Sequence, residues 1–278
     1  MIYLVLAIAS SAMISVIMRI SARTVRGNIS MLATNYLICL LLGAFYAGFH
    51  LLPVRSEGFS VTAAMGAFNG ILYLAGFMLL QHNTHKNGLV LSSVFMKLGL
   101  LVPIVLSVFL FAEIPTGMQC IGFVLAVGAI IMINYEKGTS FSGSKLPLVL
   151  LLLAGGSADA MSKVFEVYGP AVHADLFLFY TFVSAFLLCI VLILRKKERP
   201  DKYALLFGAL IGIPNFFSAK FLLMALNRLP AVIVYPTFSV ATILVVTLAG
   251  VCLFKEKLRK LQWAALALIL AALILLNI

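Results

Sequence analysis

Runs of about 20 apolar residues recur along the whole chain, separated by short connectors that hold most of the charge. A helix of that length crosses the hydrocarbon layer of a bilayer, so this spacing restricts the fold to membrane-spanning elements. In hydrocarbon every backbone polar group needs an internal partner, which leaves helices or a closed barrel. The runs lack the period-two alternation of barrel strands and therefore predict helices. Bounded by charge, Gly and Pro, the spans fall at 2–20, 31–51, 60–81, 88–111, 116–135, 146–168, 172–194, 203–225, 230–254 and 258–277. Ten spans with short connectors consume the 278 residues and leave no length for a soluble catalytic domain. The first run lacks the basic leader and cleavage site of a secretory signal, so it is expected to be a retained helix.

A formal charge of +11 invites a nucleic-acid reading, but the basic residues sit in connectors between apolar runs rather than along one soluble face. They read as topology signals, and no nucleic-acid partner is expected. Cys39, Cys120, Cys189 and Cys252 each stand alone in an apolar run. With no Cys-x-x-Cys spacing and no nearby His, they are expected to be small buried hydrophobes rather than disulfides or metal ligands.

Internal repetition emerges when Phe111 is laid on Phe254, which sets "FAEIPTGMQ" (111–119) over "FKEKLRKLQ" (254–262). The same register matches Glu113 with Glu256, Gln119 with Gln262 and Asn134 with Asn277 without a gap, and it sets Lys97 opposite Val240. Chance apolar matches are common; the Glu, Gln and Asn matches are informative. Lengthening the register by a single position lays "SAMISVIMR" (11–19) on "GGSADAMSK" (155–163), so that Arg19 meets Lys163 and Ser15 meets Asp159. The reading is an all-α membrane protein of two five-helix repeats, residues 1–137 and 138–278. Five is odd, so the copies cross the membrane in opposite directions, as in transporters whose substrate site lies between inverted repeats.

Five plus five helices, an acidic residue just after the fourth and ninth, and the segment "ALNRLPAVIVYPTFSVATILVVTLAGVCLFKEKLRKLQWAALALILAALILL" (225–276) resemble the EamA branch of the drug/metabolite transporter superfamily. The resemblance implies a transporter of small metabolites in the cell membrane. In that family the acidic turn usually reads Gly-Glu, whereas here it is Ala112-Glu113 and Lys255-Glu256. Orientation is read two ways. Connectors after odd-numbered spans hold fourteen Lys and Arg against two after even-numbered spans, which places both termini outside. The resemblance implies both termini inside.

Four cations remain within the spans, Arg19, Lys97, Lys163 and Lys220, against Asp159 as the clear in-span anion and Glu166 nearer a helix end. A charge at the bilayer centre costs roughly 2.5–3.5 kcal/mol on insertion scales, so such residues face the interior of a bundle. The excess of cations predicts an electropositive cavity. Lys97 stands about ten residues from either end of its run, or about 15 Å, too deep to reach the headgroups. Arg19 and Lys220 are either cavity residues or snorkel to the interface. Asp159 and Lys163, four residues apart, are expected to pair. Substrate contacts are expected from Lys97, Lys163, Lys220, Tyr235, Ser93, Ser239 and Thr242, and gating or coupling from Arg19, Asp159 and Glu166. Pro103, Pro214 and Pro236 are hinges or tolerated kinks. The Gly-x-x-x-Gly of "GAFNG" (66–70) is expected to pack within the bundle.

The predicted activity is secondary active transport of a small anionic or zwitterionic metabolite, such as a carboxylate, an amino acid or a phosphorylated compound. A proton gradient or exchange would drive it, because the sequence has no P-loop. Alternatives are a membrane-embedded enzyme acting on an anionic headgroup, an anion channel, or a carrier of an organic cation caged by Phe216, Phe217, Tyr73 and Phe77. No catalytic constellation, metal set or cofactor motif is present, and His50, His82, His85 and His173 fall at span ends or connectors. The partners expected are the substrate and the bilayer, with the chain a monomer or homodimer.

Overall fold

A computed structural model describes residues 1–21, 24–25, 27–51, 56–87, 89–133, 146–255 and 258–278. Every regular element among them is helical. In order these are α1 (Ile2–Ser21), α2 (Asn28–Tyr46), α3 (Phe59–Asn87), α4 (Leu89–Leu98), α5 (Leu101–Phe111), α6 (Gly117–Ile133), α7 (Leu146–Tyr168), a 3-10 turn (Ala171–His173), α8 (Ala174–Lys196), α9 (Lys202–Leu226), α10 (Ala231–Phe254) and α11 (Lys260–Leu276). Among the described residues seven helices are long and apolar enough to cross a membrane, and three shorter apolar stretches, Phe95–Phe111, Gly117–Met132 and Lys260–Leu276, accompany them.

The run 88–111, expected as one helix, is broken between α4 and α5. The cause is Pro103, which has no N–H to give the carbonyl of Gly99 four residues earlier. That carbonyl accepts instead from Val102 N at 2.9 Å, while Leu100 N donates to Lys97 O at 3.4 Å, and the chain tightens into a turn at Gly99 and Leu100. Pro214 and Pro236 stay inside the continuous helices α9 and α10, so of the three prolines Pro103 alone interrupts its helix.

The repeated polar residues mark helix ends. Ala112 after α5 and Lys255 after α10 adopt left-handed backbone, with φ of 53° and 54°. An L-residue pays roughly 1–2 kcal/mol there and Gly does not, which explains the glycine usual at this turn in the family the sequence resembles. Ala112→Gly and Lys255→Gly are therefore each expected to raise stability by about 0.5–1 kcal/mol after the greater freedom of unfolded Gly is discounted, read as a higher Tm in detergent. Glu113 Oε2 accepts from Val232 N at 3.2 Å at the start of α10. Gln119 Oε1 accepts from Thr116 N and Gln262 Oε1 from Arg259 N, both at 3.0 Å, at the starts of α6 and α11. Glu256 and Asn134 lie outside the described residues.

The chain packs as two compact units. One comprises Met1–Leu74 and Met161–Asn227, the other Ala75–Ala160 and Arg228–Ile278, so each takes segments from both sides of the 137/138 division. In the first unit α9 packs on α1 and α2, and α2 on α8. Gly66 and Gly70 face α8: a Cβ on Gly66 would stand 2.7 Å from Phe177 O, and one on Gly70 would fall on Thr181 O. The Gly-x-x-x-Gly thus serves helix packing inside the bundle, as expected. In the second unit α6, α10 and α11 surround an apolar cluster that includes Leu100, Ala129, Ile130, Val240, Ile269 and Ala272.

Candidate functional site

Lys97 stands in the last turn of α4, immediately before the break, where an ammonium suits the negative end of the helix dipole. It is half-buried, and the charged group acting on it through space is Asp159 of α7. Tyr235 of α10 is buried, and its hydroxyl donates to the backbone carbonyl of Asp159 at 2.8 Å. Lys97, Asp159 and Tyr235 therefore share one region of the second unit. Farther along α10, Ser239 is half-buried, and Thr242 is buried with its Oγ1 lacking a hydrogen-bond partner among the described residues. Val240, opposite Lys97 in the sequence repeat, is fully buried in the apolar cluster, so the polar region has no counterpart there. The side chain of Ser93 lies outside the described residues.

The first unit contains two further lysine–carboxylate pairs. Lys163 Nζ donates to Glu166 Oε2 at 2.6 Å, so the acid one turn ahead is bonded to Lys163. At 7% exposure Lys163 is the most deeply buried Lys, Arg, Asp or Glu among the described residues. Lys220 Nζ donates to Asp175 Oδ1 at 2.6 Å and lies 3.7 Å from the ring centroid of Tyr46. Its ammonium is thus turned to partners within the unit, both of them at helix ends. Arg19 is exposed in the last turn of α1.

Asp175 is not among the expected site residues, although its place inside the apolar run 172–194 is the signal that marks it. With it the in-span lysines each have an in-span carboxylate acting on them, while Arg19 is the fourth in-span cation. His173, expected near an interface, is buried at 6% exposure, with Nε2 2.7 Å from Ser56 Oγ and Nδ1 3.4 Å from Thr62 Oγ1. Cys39 and Cys189 are buried as expected, whereas Cys120 and Cys252 are exposed. Among the described residues no three His, Cys, Asp or Glu side chains come together as metal ligands. A hollow of about 260 Å³ in the first unit is lined by Ser10, Met13, Ile213, Pro214, Phe217 and Phe221, of which only Phe217 was an expected contact, and then only for the organic-cation alternative.

Residues 146–278 match the EamA-like transporter family, and the segment that carried the sequence resemblance lies within that match. An uncharacterised protein of Haemophilus influenzae is 24% identical over 283 residues, covering 97% of this chain and 95% of that protein. The chain also resembles a protein of known crystal structure with a TM-score of 0.78 at 13% identity, over 99% of this chain and 94% of the other. At that identity the likeness is one of fold.

Proposed function

We propose that this chain, a multi-pass membrane protein whose residues 146–278 match the EamA-like transporter family, is a secondary active transporter of a small zwitterionic or anionic metabolite. The observation that carries the substrate reading is the bonding of Lys163 to Glu166 and of Lys220 to Asp175, each at 2.6 Å, with Asp159 acting through space on Lys97. A zwitterion brings both charges and can meet an ammonium and a carboxylate together, leaving neither in hydrocarbon without a partner. A net anion must draw a lysine away from its acid, and a net cation must do the reverse. A proton gradient or exchange drives the movement.

Helix positions support the inverted five-plus-five reading. Helices α6 and α11 are equally long, and their first residues, Gly117 and Lys260, fall together in the register that lays Glu113 on Glu256. The first residues of α3 and α9, Phe59 and Lys202, coincide in the same register, as do the last residues of α5 and α10, Phe111 and Phe254. With α4 and α5 counted as one interrupted span, each repeat has five crossings, and alternating access follows as the exchange of two related arrangements. Lys97, Tyr235, Ser239 and Thr242 are then substrate contacts in the second unit, with Ser93 on the same helix as Lys97. Lys163 and Lys220 serve in the first, and Arg19, Asp159 and Glu166 act in gating or coupling.

The test is a thermal-shift screen of purified protein against anionic, zwitterionic and cationic metabolites, repeated on Lys97→Met. Zwitterions or anions are expected to raise the Tm of the wild type. Methionine keeps much of the length of lysine but has no charge, so the apparent Kd on Lys97→Met should rise about 10- to 100-fold, the loss of one charged hydrogen bond. Stabilisation by organic cations alone would refute the substrate class. An equal shift in both proteins would remove Lys97 from the site.

A further inference from the structure

Asp175, Tyr46 and Phe216 surround a cation that the chain itself provides. Asp175 lies in the first turn of α8 and Tyr46 is the last residue of α2. Phe216 and Lys220 are four residues apart on α9 and so share a face. The rings of Tyr46 and Phe216 stack with centroids 5.5 Å apart at 20°, and Phe217 meets Tyr46 edge-on at 6.0 Å. Lys220 Nζ lies 3.7 Å from the centroid of Tyr46, 6.0 Å from that of Phe216 and 2.6 Å from Asp175 Oδ1. An aromatic face attracts a cation through its quadrupole, and a carboxylate accepts its N–H in a charge-assisted bond. The two together recognise a primary ammonium group, whatever carries it.

The seat is also reachable. The side chains of Lys220 and Asp175 retain 16% and 32% of their exposure, and Tyr46 retains 40%. We propose that Asp175, Tyr46 and Phe216 form an ammonium-binding site that Lys220 fills in the ligand-free protein and yields to the primary ammonium of a ligand. The proposal rests on the zwitterionic reading of the substrate and assigns its two ends: the ammonium goes to Asp175 and Tyr46, and the carboxylate to the released Lys220. Charge balances at each stage, since a neutral pair admits a neutral ligand and forms two pairs. A quaternary ammonium has no N–H for Asp175 and is a poorer fit.

The seat can be tested without knowing the substrate. Purified Lys220→Met protein is titrated with ethylammonium chloride against potassium chloride at equal ionic strength, and the Tm is read. Removing the tethered cation should let ethylammonium raise the Tm by roughly 2–4 °C once it is about ten-fold above its Kd. The wild type should not respond at the same concentration, and neither should Lys220→Met combined with Asp175→Asn. Tetramethylammonium should act more weakly. If Lys220→Met does not survive extraction, ethylammonium in the extraction buffer should restore its yield where potassium does not. Equal responses in the single and double variants, an equal effect of potassium, or failure of ethylammonium to stabilise or rescue Lys220→Met would overturn the seat. A zwitterion that stabilises the wild type while this titration is silent would overturn the seat alone and leave the transport reading intact.

Discussion

Gly156→Val should abolish the recovery of monodisperse, folded protein, while alanine at the neighbouring Gly155 should be tolerated. A Cβ on Gly156 would fall on the carbonyl oxygen of Gly99 and stand 2.6 Å from Val102 Cγ2 and 2.7 Å from Val102 Cβ. A flexible side chain could swing away, but the Gly99 oxygen is backbone, held at the turn that Pro103 imposes. Valine therefore forces α7 away from the break between α4 and α5, and overpacking of this kind costs about 3 kcal/mol or more. Gly155 has nothing within 4 Å of its would-be Cβ, so Gly155→Ala should gain up to about 1 kcal/mol of helix propensity. Size-exclusion yield and Tm in detergent compare the two. Should Gly156→Val match Gly155→Ala in both, the close crossing at Gly99 does not exist.

Glu166→Gln should lower stability by about 3 kcal/mol, more than Lys163→Met. Breaking a buried ion pair by removing one partner is costly because of the charge left behind, and the size of the loss depends on which charge that is. The side chain of Lys163 is 8% exposed and that of Glu166 is 20% exposed. Deleting the acid takes the short bond away from the deeper charge, whereas deleting the lysine leaves a carboxylate with more access to water. The double variant Lys163→Met with Glu166→Gln should recover most of the loss, because neither charge of the pair then remains without the other. Denaturation in detergent measures all three, and the pair is merely a surface contact if Glu166→Gln falls within about 0.5 kcal/mol of the wild type.

The apolar runs were legible because bilayer thickness and backbone satisfaction act on each segment by itself. Helix starts and ends were nearly as clear, since caps are local chemistry: Gln119 and Gln262 bond within their own first turns, and Ala112 and Lys255 turn the chain where Gly is usual. The matched Glu and Gln residues drew attention as repeat markers, and where described they prove to be end markers as well. The break in 88–111 was half legible, because Pro103 was visible as a hinge while the turn it causes falls four residues upstream, beside Lys97.

Ion pairing was less legible. Spacing on one helix allowed both Asp159 and Glu166 as partners for Lys163, and periodicity alone does not rank them. Asp159 on α7 acts on Lys97 of α4, and Asp175 at the start of α8 bonds Lys220 of α9, so each pair joins two different helices. No local rule reaches that far. Tyr46 shows the same limit, since nothing in the run 31–51 joins it to Lys220 until α9 brings that ammonium over its ring.

By itself the sequence determined that the chain crosses a membrane many times, where most of its helices begin, and that it resembles a transporter family. Those properties follow from hydrophobicity, capping and repetition, which act over a few turns. Only the tertiary structure decided which acid holds which lysine, which glycines meet backbone to backbone, and that the in-span lysines are balanced rather than in excess. Coulomb attraction and steric exclusion depend on distance in space, and the packing of helices sets that distance between residues far apart in the chain.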